Sequence, residues 1–359
     1  MAFGIFFADR NKPLIGVDIS SSAVKMLELG VSSDGSRRVE RYSVAHLPRE
    51  AVTDGNLAKP EIVEKAMREA WQALDTRTRT VALALPAATV TAKKLILPQD
   101  ASEADIETQA ISEAHQIVPF PMEEVTLDFQ ILGPSPRSQN DNEVLVVITR
   151  KDRVEERVAV AESAGLKTVI VDVDTYAALR AFGQVSFQLP NEGKGQTVAI
   201  VDLGHATTHV NILHDNQPVY QREHPFGGQI LTQEISRRFG LPWEEAEDAK
   251  CKGLLPDNFE VEVLRPFLDS AAQEVARALQ LFFASSPQQH VDHLVLAGGC
   301  SLVPGLDEAV YNKTQIATII ANPFAKMAVS SFVRPKQLAI DAPSLFVACG
   351  LALRRFDLE

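Results

Sequence analysis

Two short stretches of this 359-residue chain carry residue types that could handle phosphate. One reads IGVDISSSAVKMLEL (15–29) and the other AIVDLGHATTHVNIL (199–213). In each, an aspartate closes an apolar run, small or hydroxyl residues follow, and a second apolar run begins. Lys25 stands seven residues after Asp18, and His209 seven after Asp202; the two aspartates are 184 residues apart, about half the chain. Successive backbone N–H groups in a tight turn form an anion-binding concavity. Ser20, Ser21 and Ser22 would add hydroxyl donors to the first turn, as would Thr207 and Thr208 to the second. Lys25 would point back at the phosphates as a cation. Asp18 and Asp202 suit Mg²⁺, held through water because that ion keeps much of its hydration shell. Either stretch alone has the composition of an ordinary hairpin turn. The matched pair at domain spacing points instead to two facing phosphate loops.

A third element is the strand-like HLVLA running into Gly298-Gly299. Glycines there would let the backbone lie flat against a planar group such as adenine. Gly193-Lys194 lacks the rest of a P-loop, and GxGxxG is absent. His205 and His209 do not read as a zinc pair, since their spacing shares a face only in a helix and this segment reads as loop and strand.

The elements that must position these residues alternate in an α/β pattern. Runs at 14–17, 23–29 and 39–47 predict a three-strand meander; a helix follows over 60–74 and a strand over 80–85. Residues 86–166 read as an inserted α/β subdomain, with a helix from Ser102, strands near 125–132 and 143–149 joined by a polar tip, and a helix over 150–164. The meander pattern returns at 197–223, after the boundary QLPNEGKGQ. The expected division is 1–85 with 167–190, an insert 86–166, a second domain 191–226 with 290–359, and a helical subdomain 227–289. The stripe from Leu264 to Ala284 reads as core packing, and WEEAEDAK as a solvated helix start.

Composition narrows the partners. Thirty-five basic and 47 acidic residues leave a net charge of −12, the wrong sign for a protein that neutralises nucleic-acid phosphates. The three cysteines form no CxxC pair and suit a reducing compartment. We expect no targeting segment and no membrane span, the runs at 81–90 and 144–148 being too short, so that a membrane would be reached only through partners.

The order strand–Asp loop, second strand–Asp-Leu-Gly loop, late Gly-Gly resembles the actin, Hsp70 and sugar-kinase superfamily of nucleotide-binding clamps. The insert sits where FtsA carries its own subdomain. With QIVPFPMEEVTLDF, FGGQILTQEI, LVLAGG and ANPFAKM, nearly the whole chain is similar to the PilM family, the actin-like cytoplasmic proteins of type IV pilus assembly. The resemblance implies a duplicated actin-like (RNase H-like) ATPase clamp with an FtsA-like insert, at the inner face of the bacterial inner membrane. It implies ATP or ADP with Mg²⁺, held by Asp18, Ile19, Ser20, Ser21, Ser22 and Lys25 in the first loop and by Asp202, Gly204, His205, Ala206, Thr207 and Thr208 in the second. Gly298, Gly299 and Cys300 would contact adenosine, with help from Glu247 and Lys250.

Asp174 would orient the attacking water, though it also reads as a helix N-cap. His209 matches a position where actin has His, and also reads as a solvated strand residue. His205 stands where related ATPases often have an acidic residue or Gly, so any hydrolysis is expected to be slow. The resemblance further implies binding of the N-terminal cytoplasmic tail of PilN, other pilus assembly proteins and self-association. Ile117, Val118 and Phe120, in QAISEAHQIVPFPMEEV, are the candidates for part of the PilN groove; the competing reading places Phe120 in the subdomain core. An FtsA-like membrane-associated filament protein and a small-molecule kinase are the alternative functions.

Overall fold

The computed structural model describes residues 12–135, 138 and 140–357. β1 (Ile15–Ile19), β2 (Ala23–Val31) and β3 (Arg37–His46) form the antiparallel meander. A small hairpin, β4 (Val52–Thr53) and β5 (Asn56–Leu57), follows. α1 (Pro60–Leu74) opens on proline, whose missing N–H has no helical partner to lose there, and its 3-to-4 spacing buries Val63, Ala66, Met67, Ala70 and Leu74. β6 (Thr80–Leu85) then runs parallel to β1.

In the insert, β7 (Val90–Pro98), β8 (Val125–Pro134) and β9 (Asp141–Arg150) form a sheet ordered β7-β9-β8. Part of the polar tip between β8 and β9, residues 136, 137 and 139, lies outside the described residues. α2 (Glu103–Ile117) shares a buried core with one face of the sheet, and Ser102 and Asp105 cap its start reciprocally. α3 (Lys151–Ser163) leads back to β10 (Lys167–Val173), parallel to β6, and then to α4 (Asp174–Phe182).

The second half repeats the plan. β11 (Thr197–Leu203), β12 (Thr208–His214) and β13 (Gln217–His224) form a second meander. α5 (Gly228–Phe239), α6 (Trp243–Lys252) and α7 (Arg265–Ser285) precede β14 (His293–Ala297), parallel to β11. α8 (Leu306–Thr314) precedes β15 (Ala317–Ile320). The order β13-β12-β11-β14-β15 matches β3-β2-β1-β6-β10 strand for strand.

The chain then returns to the first sheet. β16 (Ala328–Val329) pairs with β3, and α9 (Pro335–Asp341) leads to α10 (Phe346–Leu353), which packs on β1, β2 and α4. Residues 328–353, expected with the second domain, are therefore on the first; which sheet an apolar segment joins is decided by tertiary packing. α4 and α10 share one core with residues of both sheets, among them Leu27, Leu29, Val198 and Ile200. They meet backbone to backbone, for a Cβ on Gly350 would lie 1.8 Å from the Ala177 carbonyl oxygen. The run Pro335–Phe356 has the length and hydropathy of a membrane span, but 61% of its most apolar window is buried inside the fold. It is longer than the apolar runs noted from sequence, and its packing makes it core.

Candidate nucleotide site and neighbouring groove

The seven-residue spacing has a direct structural meaning. Asp18 is the cross-strand partner of Lys25, and Asp202 the cross-strand partner of His209, in the same register of the two meanders. In the first loop Lys25 Nζ donates to Asp18 Oδ2 at 3.0 Å, both side chains being mostly buried. The Ser20 hydroxyl closes its own turn by donating to the Ala23 carbonyl at 2.9 Å.

In the second loop the Gly204 N–H bonds the Thr207 carbonyl, and the Gly204 and His205 carbonyls accept from the N–H groups of Gly228 and Gln229 at the start of α5. Gly298, at φ 83°, lies against this loop. A Cβ there would stand 2.3 Å from the Leu203 carbonyl oxygen and 2.4 Å from Asp202 Oδ1, so only glycine permits the approach. The Asp202 carboxyl is enclosed, and burial raises its pKa against the charges of His209 and Lys25; Asp18 adds to the rise.

Asp174, at the first turn of α4, faces both loops. Its Oδ1 accepts the N–H of Thr175 at 2.6 Å and that of Ala87 at 3.1 Å. Burial pushes the carboxyl up to about 6; His209 and the two N–H donors oppose that and nearby Asp18 adds to it. Gln221 of β13 donates to the Thr175 hydroxyl at 3.3 Å, joining the halves. His209 Nε2 lies 3.4 Å from the Thr207 hydroxyl, and its Nδ1 lies 3.9 Å from Glu223.

A polar cluster forms the wall beyond the second loop. Lys250 Nζ bonds Glu247 at 2.7 Å and the Thr232 hydroxyl at 2.8 Å, and Thr232 also bonds Glu247. Burial alone would raise the Glu247 pKa, but the Lys250 charge and these bonds hold it below its ordinary value. Burial lowers the pKa of neighbouring His205, whose ring meets Trp243 edge to face at 6.3 Å. Arg49, from the first domain, lies over the same indole at 4.6 Å.

Beside the β4–β5 hairpin is a groove of about 490 Å³, lined by that hairpin, the turn after β6, the Val118–Phe120 segment and α3. Phe120 is 38% exposed there, with the Arg150 guanidinium 5.2 Å from its ring centre.

A family model described as type IV pilus assembly protein PilM matches residues 16–356. The chain belongs to the PilM family. A solved PilM–PilN type IV pilus biogenesis complex is 26% identical, with a TM-score of 0.79 over 96% of this chain and 99% of that one. The ethanolamine utilization protein EutJ of Carboxydothermus hydrogenoformans shares the fold at 15% identity and a TM-score of 0.55, over 94% and 88% of the two chains. MreB5 of Spiroplasma citri bound to ADP shares it at 14% and 0.50, over 95% of each. The Escherichia coli K12 cell division protein FtsA is 23% identical over 265 residues, 68% of this chain and 61% of FtsA, so the chain spans about three fifths of that relative. The fold is thus actin-like.

This PilM-family architecture brings both loops, Asp174, His209 and Gly298 to one place. Several expectations are revised. The Thr208 hydroxyl is buried and donates to the Phe226 carbonyl at 2.8 Å, so it braces the loop and does not face phosphate. Cys300 is buried in the second core, where desolvation pushes its thiol up to about 12; contact with a ligand would be through its backbone. Asp174 is not the N-cap of α4, a place taken by Val173. Ile117 and Val118 pack partly against the insert's core, while Phe120 lies outside it. Within α6, Ala246 is buried and Glu247 and Lys250 are well covered, so only part of that helix is a solvated face.

Sequence reading missed Arg157, buried on α3, which donates to the Gly55 carbonyl at 2.6 Å. Burial lowers its pKa, while the carboxylates of Asp174, Glu156 and Asp18 attract it. A signal existed, because Arg157 falls in the buried stripe Val154, Arg157, Val160, Ala161 at 3-to-4 spacing. Asn211, two residues after His209 on the same strand face, was also missed. It is buried, and its Nδ2 has no hydrogen-bond partner among the described residues.

Proposed function

We propose that this chain is a nucleotide-binding scaffold of the type IV pilus assembly platform, which holds ATP or ADP with Mg²⁺ in its cleft and the N-terminal tail of PilN in its groove. The site fits the nucleotide on its own terms: Lys25 supplies a mostly buried cation, and a Cβ at Gly299 would meet nothing nearer than Ser344 at 4.0 Å, so bare backbone faces open space there. Lys25, Ser21, Ser22, Thr207 and the loop N–H groups would hold the phosphates. Asp18 and Asp202 would hold the ion through water, and Gly298, Gly299, Glu247 and Lys250 would line the adenosine. The bound ion would neutralise phosphate charge. Asp174, held by two N–H donors, would orient a water. His205 in the second loop favours slow turnover, so that nucleotide acts chiefly as a conformational ligand. Attachment to the inner membrane would follow from PilN.

One observation carries the partner assignment. An exposed aromatic and two arginines, Arg150 and Arg153, line an open groove in a chain that is similar over almost its full length to the PilM–PilN complex. Rigid apolar positions beside open backbone suit an extended peptide. Phe120→Ala tests it. A residue outside the core should shift stability by only about 0.5 kcal/mol, while peptide affinity should fall roughly 10-fold or more. Intact binding of a labelled PilN tail peptide by Phe120→Ala, or loss of the fold, would return Phe120 to a structural role.

A further inference from the structure

One short turn serves both the groove and the cleft. After β6, residues Pro86–Thr89 form a turn closed by the Thr89 N–H and hydroxyl, both bonded to the Pro86 carbonyl. Ala88 and Thr89 line the groove. From the same turn the Ala87 N–H reaches Asp174 Oδ1 at 3.1 Å. A groove residue is therefore separated by one peptide unit and one hydrogen bond from the buried carboxylate of the cleft.

The hairpin wall reports to the same place. Asp54 and Asn56 line the groove, and between them Gly55, at φ 73°, lies so close to Pro86 that a Cβ would stand 2.6 Å from its ring. Arg157 holds the Gly55 carbonyl, and one turn earlier on α3 Arg153 bonds Asn56 and lines the groove. A segment filling the groove would bear on hairpin and turn together. Close-packed atoms pass such a load on to their neighbours, here to the Ala87 N–H.

We propose that the Ala87–Asp174 hydrogen bond couples groove occupancy to nucleotide binding, the peptide setting where Asp174 stands in the cleft and the nucleotide setting how tightly the peptide is held. This rests on the reading that the groove takes the PilN tail and the cleft takes nucleotide. Such coupling is reciprocal, so the factor by which ATP changes peptide affinity equals the factor by which peptide changes ATP affinity.

The bond can be deleted from either end. Ala87→Pro removes only the N–H, because Pro86 already has the extended backbone (φ −62°, ψ 134°) that must precede proline, and Ala87 is the first residue of a helical turn. Asp174→Ala removes the acceptor and reads the same bond should the first variant lower the melt. A labelled PilN N-terminal peptide is titrated into the full chain, with and without ATP and Mg²⁺ at concentrations saturating each variant. In the unaltered protein nucleotide should change peptide affinity by about five-fold or more. Each variant should bring that ratio to within about two-fold of one, and the double variant should match the singles, since both break one bond. Full coupling in either folded variant overturns the inference, as does an unaltered protein whose peptide affinity ignores nucleotide. No peptide binding by the unaltered chain refutes the groove reading itself, a separate result, and the inference falls with it.

Discussion

The two Asp-bearing loops share a backbone plan and differ in what opposes the aspartate. Across from Asp18 stands a lysine within bonding distance; across from Asp202 stands a histidine that bonds elsewhere, toward Thr207 and Glu223. The first loop is thus a paired site, its carboxylate and cation already satisfied before any ligand arrives. The second is an enclosed site whose carboxyl is raised by burial and pressed by Gly298. A duplicated fold keeps register because the meander demands it, while the residues facing one another across the strands are free to divide the chemistry. Here the cation went to one half and the close backbone approach to the other.

That contrast can be broken most forcefully at Gly298. A methyl there meets both backbone strain at φ 83° and the 2.3 Å approach to Leu203, two costs of about 1–3 kcal/mol each. Urea melts of Gly298→Ala should show a loss of roughly 3–5 kcal/mol, whereas Ser21→Ala in the first loop should stay within about 0.5 kcal/mol. Equal melts for the two would remove the distinction between paired and pressed loops.

Asp174 sharpens the comparison because it belongs to the first half and faces His209 of the second, with Asp18, Arg157 and the two N–H donors around it. Its folded pKa of about 6 lies above the ordinary 3.8. The folded state therefore holds this proton more tightly than the unfolded chain between those values. Its contribution to stability is full below pH 3.8 and is lost as pH rises through about 6, on the order of 2–3 kcal/mol in all. Asp174→Asn should flatten that part of the stability–pH curve, measured by thermal melts from pH 4 to 7. An unchanged slope would mean that the carboxyl is not held as described.

The smallest effect separates the two aspartates themselves. Asp18→Asn strands a mostly buried Lys25, a cost of about 1–2 kcal/mol, while Asp202→Asn relieves an enclosed carboxyl and should leave the melt at pH 7 level or slightly higher. Both should weaken Mg²⁺-dependent ATP binding. A lower melt for Asp202→Asn than for Asp18→Asn would reverse the assignment of paired and enclosed sites.

Much of this was legible in the residues. The seven-residue spacing is legible because cross-strand register in a tight hairpin is a matter of counting, and the helix over Pro60–Leu74 because proline and a 3-to-4 stripe mark it. The return of residues 328–353 to the first sheet was not legible, since nothing local to an apolar strand or helix names its neighbour. Thr208 misled because a hydroxyl beside a phosphate loop looks the same in sequence whether it faces the ligand or, as here, the Phe226 carbonyl. Arg157 was overlooked among the charges of KDRVEERVAVAES, where its place in the buried stripe carries more information than its type.

The contact of Gly350 with Ala177 bears on how the cleft can open. Two helices that touch without side chains between them behave as a pair of rollers: they can turn over one another, but drawing them apart would bare the core they share with both sheets. Both helices ride on the first sheet, and the core around them reaches the second, so their contact sets the seat on which the second half rests. A bulkier residue at position 350 would act as a wedge under α4, the helix whose first turn carries Asp174.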